Sequence, residues 1–274
     1  MELNKYEIKS LEEIEQWAKQ KHDGFHKKIL DLTSKPVDYL IKKIGPEKFN
    51  KIETAVENTI KTLLLTAKHT ISEQDLIKRA RGHGIMIDSV SELKKCNLEA
   101  LDNCNSENIK FHEKAAAIQG AVLGLGGAAV AVADLTAILI QDFHMIQEIA
   151  FCYSFDSNDK IEKEIILRVI EIAIGGSEIK FRSLKEIEEL KQFKNKEDGI
   201  QADKKGTSVL GARALGEYIE DLTVALLVRL IPRALPIISM VVSAHSNHEI
   251  MEHSGKTAFM IYRQRFIERK KELL

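Results

Sequence analysis

An uncharged apolar run in the middle of the chain constrains the fold more than any other feature. From Ala115 to Ala133 no side chain carries a charge, and after Asp134 the apolar run continues to Gln141. One helix over Ala115–Gln141 would rise about 40 Å, which exceeds the ~30 Å hydrocarbon core of a bilayer. Such a segment is either a central helix buried in a bundle or a helix that inserts in a membrane.

Small residues recur along this run. Ala116, Gly120, Gly124 and Ala128 are each four positions apart, so they would share one face of a single helix. Small side chains at that spacing let a second helix approach closely. A helix buried in a soluble bundle is the favoured interpretation, because alanine and glycine supply little transfer energy and Asp134 is costly at a bilayer centre. Membrane insertion stays open as the alternative.

Charges within the apolar segments form a second candidate site. The segment Leu222–Ala244 is also apolar, but it contains Arg229 and Arg233 on one helical face. Asp134 and Asp142 flank the end of the first apolar run. We predict that one of these acids pairs with one of the arginines between the two apolar helices. The alternative is that each charge reaches solvent at a helix end.

The rest of the chain predicts helices and no sheet. Apolar residues recur with helical spacing, prolines number only four, and no segment alternates apolar and polar residues as a half-buried strand would. We therefore predict an all-α fold, a single multi-helix bundle with two long central apolar segments, as one domain over residues 1–274. Within it, residues 177–211 are charge-rich and predict a polar insertion or loop with a short helix at Ser183–Phe193, and a final amphipathic helix begins at Gly255.

Composition excludes two classes of protein. The 40 basic and 41 acidic residues nearly cancel, so no nucleic-acid partner is predicted. Cys96, Cys104 and Cys152 show no Cys-x-x-Cys spacing, which argues against a disulfide framework and a structural zinc site. Cys152 follows Phe151 on an apolar face, where packing is the expected role.

The polar motifs of the chain indicate no catalytic, metal-binding or cofactor-binding chemistry. His245, His248, Glu249, Glu252 and His253 lie within one helical stretch and present either a metal-binding face or a polar surface. No further ligand motif accompanies them, and phosphate-loop and nucleophile-elbow motifs are absent. His144 and Glu148 have the spacing of an ordinary helix pair. The sequence therefore identifies no catalytic residue, no metal site and no cofactor.

Three segments together resemble the EcsC family of bacterial proteins over roughly residues 6–270. The most specific is a Gly-rich apolar stretch followed by an acid and an Ile-Ala-x-x-Tyr ending. The matching residues are Gly120–Gly127, Asp134, Ile149, Ala150 and Tyr153; the other segments are Lys35–Lys48 and the stretch from Pro236 through Asn247 to Phe266. Two positions differ, because the family often has glycine where this chain has Ser154 and Ser239.

The resemblance implies a context rather than a reaction, since the family is named after a protein encoded beside an ABC transporter involved in secretion. We expect a non-enzymatic, membrane-associated accessory or regulatory protein, linked to transport or secretion or to a stress or defence response that acts on the membrane. Its partner would be a membrane surface or a membrane protein. The predicted location is cytoplasmic, with peripheral and integral association at the inner face of the membrane both open. The alternative function is a soluble helical hydrolase or lipid-binding domain with a pocket between the apolar helices. The oligomeric state is not predicted.

Overall fold

Helices account for the regular structure of the chain. The computed structural model describes residues 2–20, 42, 45–66, 72–123, 127–197, 218–220, 222–224, 226 and 239–272. Eight α-helices have defined bounds: α1 Lys5–Lys19, α2 Pro46–Thr66, α3 Glu73–Gly82, α4 Leu98–Leu123, α5 Gly127–Cys152, α6 Lys160–Ile174, α7 Ser177–Glu197 and α8 Ser239–Glu272. A 3₁₀ helix, Val90–Lys95, precedes α4, and these described residues include no strand. The all-α prediction is confirmed.

Side chains at several helix starts bind backbone N–H groups that have no partner inside the helix. At α1, the Asn4 side chain accepts from the Glu7 amide while the Glu7 carboxylate accepts from the Asn4 amide, each at 2.9 Å. At α6, the Asp159 carboxylate accepts from the amides of Ile161 and Glu162. These reciprocal and single caps are local signals that start a helix independently of its packing.

Helices α4 and α5 form an antiparallel hairpin. The Cys152 thiol lies 3.9 Å from the Leu101 carbonyl, and the Gln141 amide donates to the His112 carbonyl at 3.3 Å, so late α5 lies beside early α4. The expectation of one continuous helix over Ala115–Gln141 is therefore wrong. The reason is physical: the run is divided between two helices that pack against each other and against α8, which sequence periodicity alone does not reveal.

Helix α8 completes the central layer. It runs antiparallel to α4, with Gly255 opposite Ile109 and Arg263 bound to Asp102. The final helix is longer than its predicted start at Gly255, because it begins at Ser239 and continues through the histidine-containing stretch. One hydrophobic core joins buried residues from Ile14 in α1 to Ile267 in α8.

Helices α6 and α7 cover one side of this layer. Residues Ile161–Ile174 of α6 are all buried. The predicted short helix at Ser183–Phe193 lies within α7, which spans Ser177–Glu197 and packs antiparallel on α6. The prediction of a polar insertion or loop is wrong for the remaining residues of that helix. Lys180, Ser183, Ile187 and Leu190 recur at helical spacing and are buried, whereas Lys185, Glu188 and Glu189 are exposed. Residues 198–211 lie outside the described residues.

Candidate functional site

The small residues that the sequence placed on one helix are divided between two. Ala116 and Gly120 are buried on α4, Ala128 lies on α5, and Gly124 lies outside the described residues. They therefore do not form one continuous stripe along a single helix. Nonetheless the hairpin that carries them contains the chain's most apolar segment.

Large apolar side chains lie on the outer face of this hairpin. Phe111 and Ile118 of α4 are 65% and 67% exposed, and Ile140 of α5 is 38% exposed. The hydrogen bond from Gln141 to His112 places Ile140 and Phe111 on adjacent turns of the two helices. We call Phe111, Ile118 and Ile140 the outer apolar face. Sequence reasoning missed it, although Phe111 and Ile118 share a face at a spacing of seven residues.

Lysines accompany the outer apolar face. Lys110 and Lys114 are both exposed on α4, where they alternate along the sequence with Phe111 and Ile118. Glu107 is also exposed, one turn nearer the start of the helix. The half of α4 that continues into the apolar run therefore presents basic and apolar groups side by side.

The two predicted acids are buried at the contact between α5 and α8. Asp134 accepts a hydrogen bond from the Asn247 amide at 3.0 Å, and Asp142 accepts one from the Ser254 hydroxyl at 2.8 Å. The order of the partners shows that the two helices run parallel. Asn247 and Ser254 were missed as partners, although their spacing of seven residues matches one helix face. Arg229 and Arg233 lie outside the described residues, so their pairing stays a prediction.

A polar cluster joins α3, α4 and α5 toward the open end of the hairpin, where early α4 lies beside late α5. The Glu148 carboxylate binds Arg79 Nη1 at 2.7 Å and His112 Nε2 at 3.0 Å, and Arg79 also donates to Asn108. Burial alone would raise the pKa of Glu148, but the hydrogen bonds from His112 and Arg79 lower it to about 2. Glu148 therefore acts as a fixed anion that holds three helices.

A small cavity adjoins this cluster. Leu76, Ala80, Cys104 and Cys152 line it together with the Arg79 side chain, and its volume is about 10 Å³. A space of that size holds about one water molecule. It is far too small for a lipid chain or an organic substrate.

A second polar cluster, at the other side of early α4, is centred on the buried carboxylate of Asp102. Asp102 accepts hydrogen bonds from Tyr6 at 2.8 Å and Tyr153 at 2.6 Å, and Arg263 Nε lies 2.7 Å from the same carboxylate. Burial raises the pKa of Asp102, and these donors act against that shift. Arg263 also binds Glu13, so the cluster ties α1, α4 and α8 together. Its role is structural.

In the histidine-containing stretch of α8, histidine and glutamate side chains lie close together along the helix. His245 lies 3.2 Å from Glu249, and His248 lies 3.9 Å from Glu252. In the described part of the chain, no group of three or more His, Cys, Asp or Glu side chains is arranged to hold a metal ion. None of the helices searched over those same residues is long and apolar enough to cross a bilayer.

Comparisons with known proteins agree on one family. The sequence profile of the EcsC protein family matches residues 8–267. A protein of Bacillus subtilis (strain 168), described as uncharacterized protein YdbA, is 25% identical over 269 residues, which cover 96% of this chain and 93% of that protein. No solved structure matches the chain.

Proposed function

The chain belongs to the EcsC protein family, and from that premise we propose that it is a non-enzymatic accessory or regulatory protein that docks peripherally on a membrane. The docking surface is the outer apolar face of the α4–α5 hairpin. The proposed role lies beside transport or secretion, or in a stress or defence response at the membrane. The observation that carries the proposal is the exposure of Phe111 and Ile118 beside the most apolar part of the chain.

The energy available from these side chains supports docking. Complete burial of a Phe or Ile side chain contributes about 1.5–3 kcal/mol. Since about two-thirds of each is exposed, transfer of Phe111 and Ile118 into the headgroup–acyl boundary contributes about 2–4 kcal/mol together. That is enough to bias a protein toward a membrane surface when a second attraction assists.

Basic side chains supply that second attraction. A lysine near an anionic membrane surface contributes about 1 kcal/mol, and this contribution falls with rising ionic strength. Lys110 and Lys114 alternate with the two apolar side chains on α4. We therefore favour anionic lipid as the target and expect the binding to weaken at high salt.

The alternative of a hydrolase or lipid-binding domain needs a pocket between the apolar helices. The cavity between α3, α4 and α5 has a volume of about 10 Å³. Asp134 and Asp142, the acids nearest to such a pocket, bind side chains of α8. These contacts favour the docking proposal over the enzyme.

Vesicle flotation tests the proposal. The full chain is mixed with vesicles of phosphatidylethanolamine and phosphatidylglycerol, and separately with phosphatidylcholine vesicles, and the floated fraction is measured against lipid concentration. We expect binding to the anionic vesicles. Replacing Phe111 and Ile118 together by serine should lower the partition coefficient about thirtyfold or more, because each 1.4 kcal/mol corresponds to a factor of ten.

A matched control tests whether vesicle binding depends on the outer apolar face or on exposed apolar side chains in general. Phe181 is 46% exposed on α7, away from the hairpin, and Phe181→Ser should leave flotation unchanged. Equal binding by the double variant and the unaltered chain would contradict the proposed surface. Failure of the unaltered chain to float with either vesicle would contradict membrane docking itself.

A further inference from the structure

Two cysteines from neighbouring helices meet inside the molecule. Cys104 lies on α4 and Cys152 is the last residue of α5, and both are buried free thiols. The antiparallel hairpin brings both side chains to the same small cavity, which they line together. Cys152 also lies 3.9 Å from the carbonyl of Leu101, one helical turn before Cys104. The sequence separation between the cysteines conceals this proximity.

Partly exposed charged side chains also line this cavity. The Arg79 and Glu148 side chains are 32% and 19% exposed. The volume of about 10 Å³ fits a molecule near the size of water. Hydrogen peroxide is close to that size, whereas a bulky disulfide reagent is too large for the cavity.

From this geometry we propose that Cys104 and Cys152 form a redox-active thiol pair that hydrogen peroxide converts into a reversible intramolecular disulfide. Cys104 is the attacking thiol and Cys152 the resolving thiol. A disulfide bond of about 2.05 Å between the two sulfurs links the start of α4 to the end of α5, at the open end of the hairpin. The proposal is independent of membrane docking.

The surroundings assign the two roles. Contact with Cys152 lowers the pKa of Cys104, burial acts in the opposite direction, and the positive charge of Arg79 lowers the pKa further. Contact with Cys104 and burial both raise the pKa of Cys152. Since the thiolate is the nucleophile, attack starts at Cys104.

The reaction balances with peroxide as the oxidant. The Cys104 thiolate attacks one peroxide oxygen, the O–O bond breaks, and the departing hydroxide takes up the proton lost by the thiol. This step yields a sulfenic acid and one water. Cys152 then attacks the sulfenic sulfur, the S–O bond breaks, and the departing hydroxide takes the Cys152 proton to form a second water. The two thiols lose two electrons in total, and a dithiol reductant restores them.

Mass spectrometry of the unaltered chain tests the proposal without any substitution. The reduced protein is treated with hydrogen peroxide, free thiols are alkylated, and the protein is digested with a glutamate-specific protease that cleaves at Glu99, between Cys96 and Cys104. We expect a cross-linked peptide pair containing Cys104 and Cys152, lost after dithiothreitol treatment. Recovery of both cysteines in alkylated form, while Cys96 is oxidised, would overturn the proposal.

Two variants sharpen the test. Cys96 is half-buried, and burial raises its pKa, so Cys96→Ser is the matched control and should form the cross-link at an unchanged rate. Arg79→Gln removes the neighbouring positive charge and should slow the cross-linking roughly three- to tenfold, provided that its far-UV circular dichroism matches that of the unaltered chain. An unchanged or faster rate in Arg79→Gln would overturn the assignment of Cys104 as the attacking thiol.

Discussion

Gly255 provides the most sensitive test of how the central helices pack. This residue lies inside α8 where that helix crosses α4, and a Cβ atom there would lie 2.6 Å from Ile109 Cγ2 and 3.0 Å from Ile109 Cγ1. Both distances are shorter than normal contacts between carbon atoms. Gly255→Ala therefore forces α8 away from α4 or displaces the Ile109 side chain.

The magnitude follows from two opposing effects. Inserting a methyl group into a well-packed contact costs about 1–3 kcal/mol. Replacing glycine by alanine inside a helix recovers about 1 kcal/mol of helix propensity. We expect Gly255→Ala to lower the free energy of unfolding by up to about 2 kcal/mol, which corresponds to a fall in Tm of up to a few degrees.

In the background of a second substitution, Ile109→Ala, the effect of Gly255→Ala on stability should reverse its sign. Ile109→Ala removes both Cγ atoms and leaves only the Cβ, which lies 3.3 Å from the added methyl group. In that background, Gly255→Ala fills vacated space and keeps its propensity gain, so it should stabilise the chain by about 1 kcal/mol. The coupling between the two sites is the signature of direct contact.

Urea unfolding followed by far-UV circular dichroism measures the unaltered chain, both single variants and the double variant. Gly82→Ala is the control, since nothing lies within 4 Å of a Cβ at that helical glycine, and its stability should be unchanged or slightly higher. If the effect of Gly255→Ala on stability is the same with Ile109 and with Ala at position 109, the close crossing of α4 and α8 is wrong.

Three further substitutions test other contacts. Ser154 has a φ of 62°, a left-handed backbone conformation that favours glycine. Ser154→Gly should therefore raise the free energy of unfolding by up to about 1 kcal/mol, measured as a higher Tm. A lower Tm would contradict the left-handed conformation. Arg265 binds the buried carboxylate of Glu162, with Nη1 2.7 Å from Oε2. Arg265→Met should therefore lower the free energy of unfolding in urea by about 3–5 kcal/mol, and adding Glu162→Leu should recover most of that loss. A loss that persists in the double variant would refute the ion-pair explanation. The lowered pKa of Glu148 stabilises the fold above the ordinary carboxyl range and loses that contribution as pH falls from about 4.5 toward 2. Acid titration should therefore destabilise the unaltered chain by up to about 3 kcal/mol more than Glu148→Gln over that range, and parallel acid profiles would refute this.

Local signals in the sequence were sufficient for the fold class. Helical apolar spacing, the scarcity of proline and the absence of period-two alternation depend on neighbours within one or two turns. Ser154 is one position at which a local signal in the sequence predicts the backbone conformation. It stands where the family often has glycine, and in the structure it ends α5 in a left-handed conformation that favours glycine.

Polarity misled the prediction for α7. A high density of charge over residues 177–197 indicated a segment too polar for the core, yet Ile187 and Leu190 are buried while the neighbouring charges face outward. Average polarity hides a narrow apolar stripe, because burial depends on which face of the helix meets a partner.

Which residues contact each other across the core could be read only from the tertiary structure. The sequence by itself determined that this chain forms helices, that Asp134 and Asp142 interrupt an apolar segment, and that the family is of EcsC type. Only the tertiary structure decided that the apolar run divides between two antiparallel helices, that these acids bind Asn247 and Ser254, and that Phe111 remains exposed. Helix propensity and caps act between residues close in sequence, whereas burial and pairing depend on residues more than a hundred positions away, whose approach follows from the packing of the whole core.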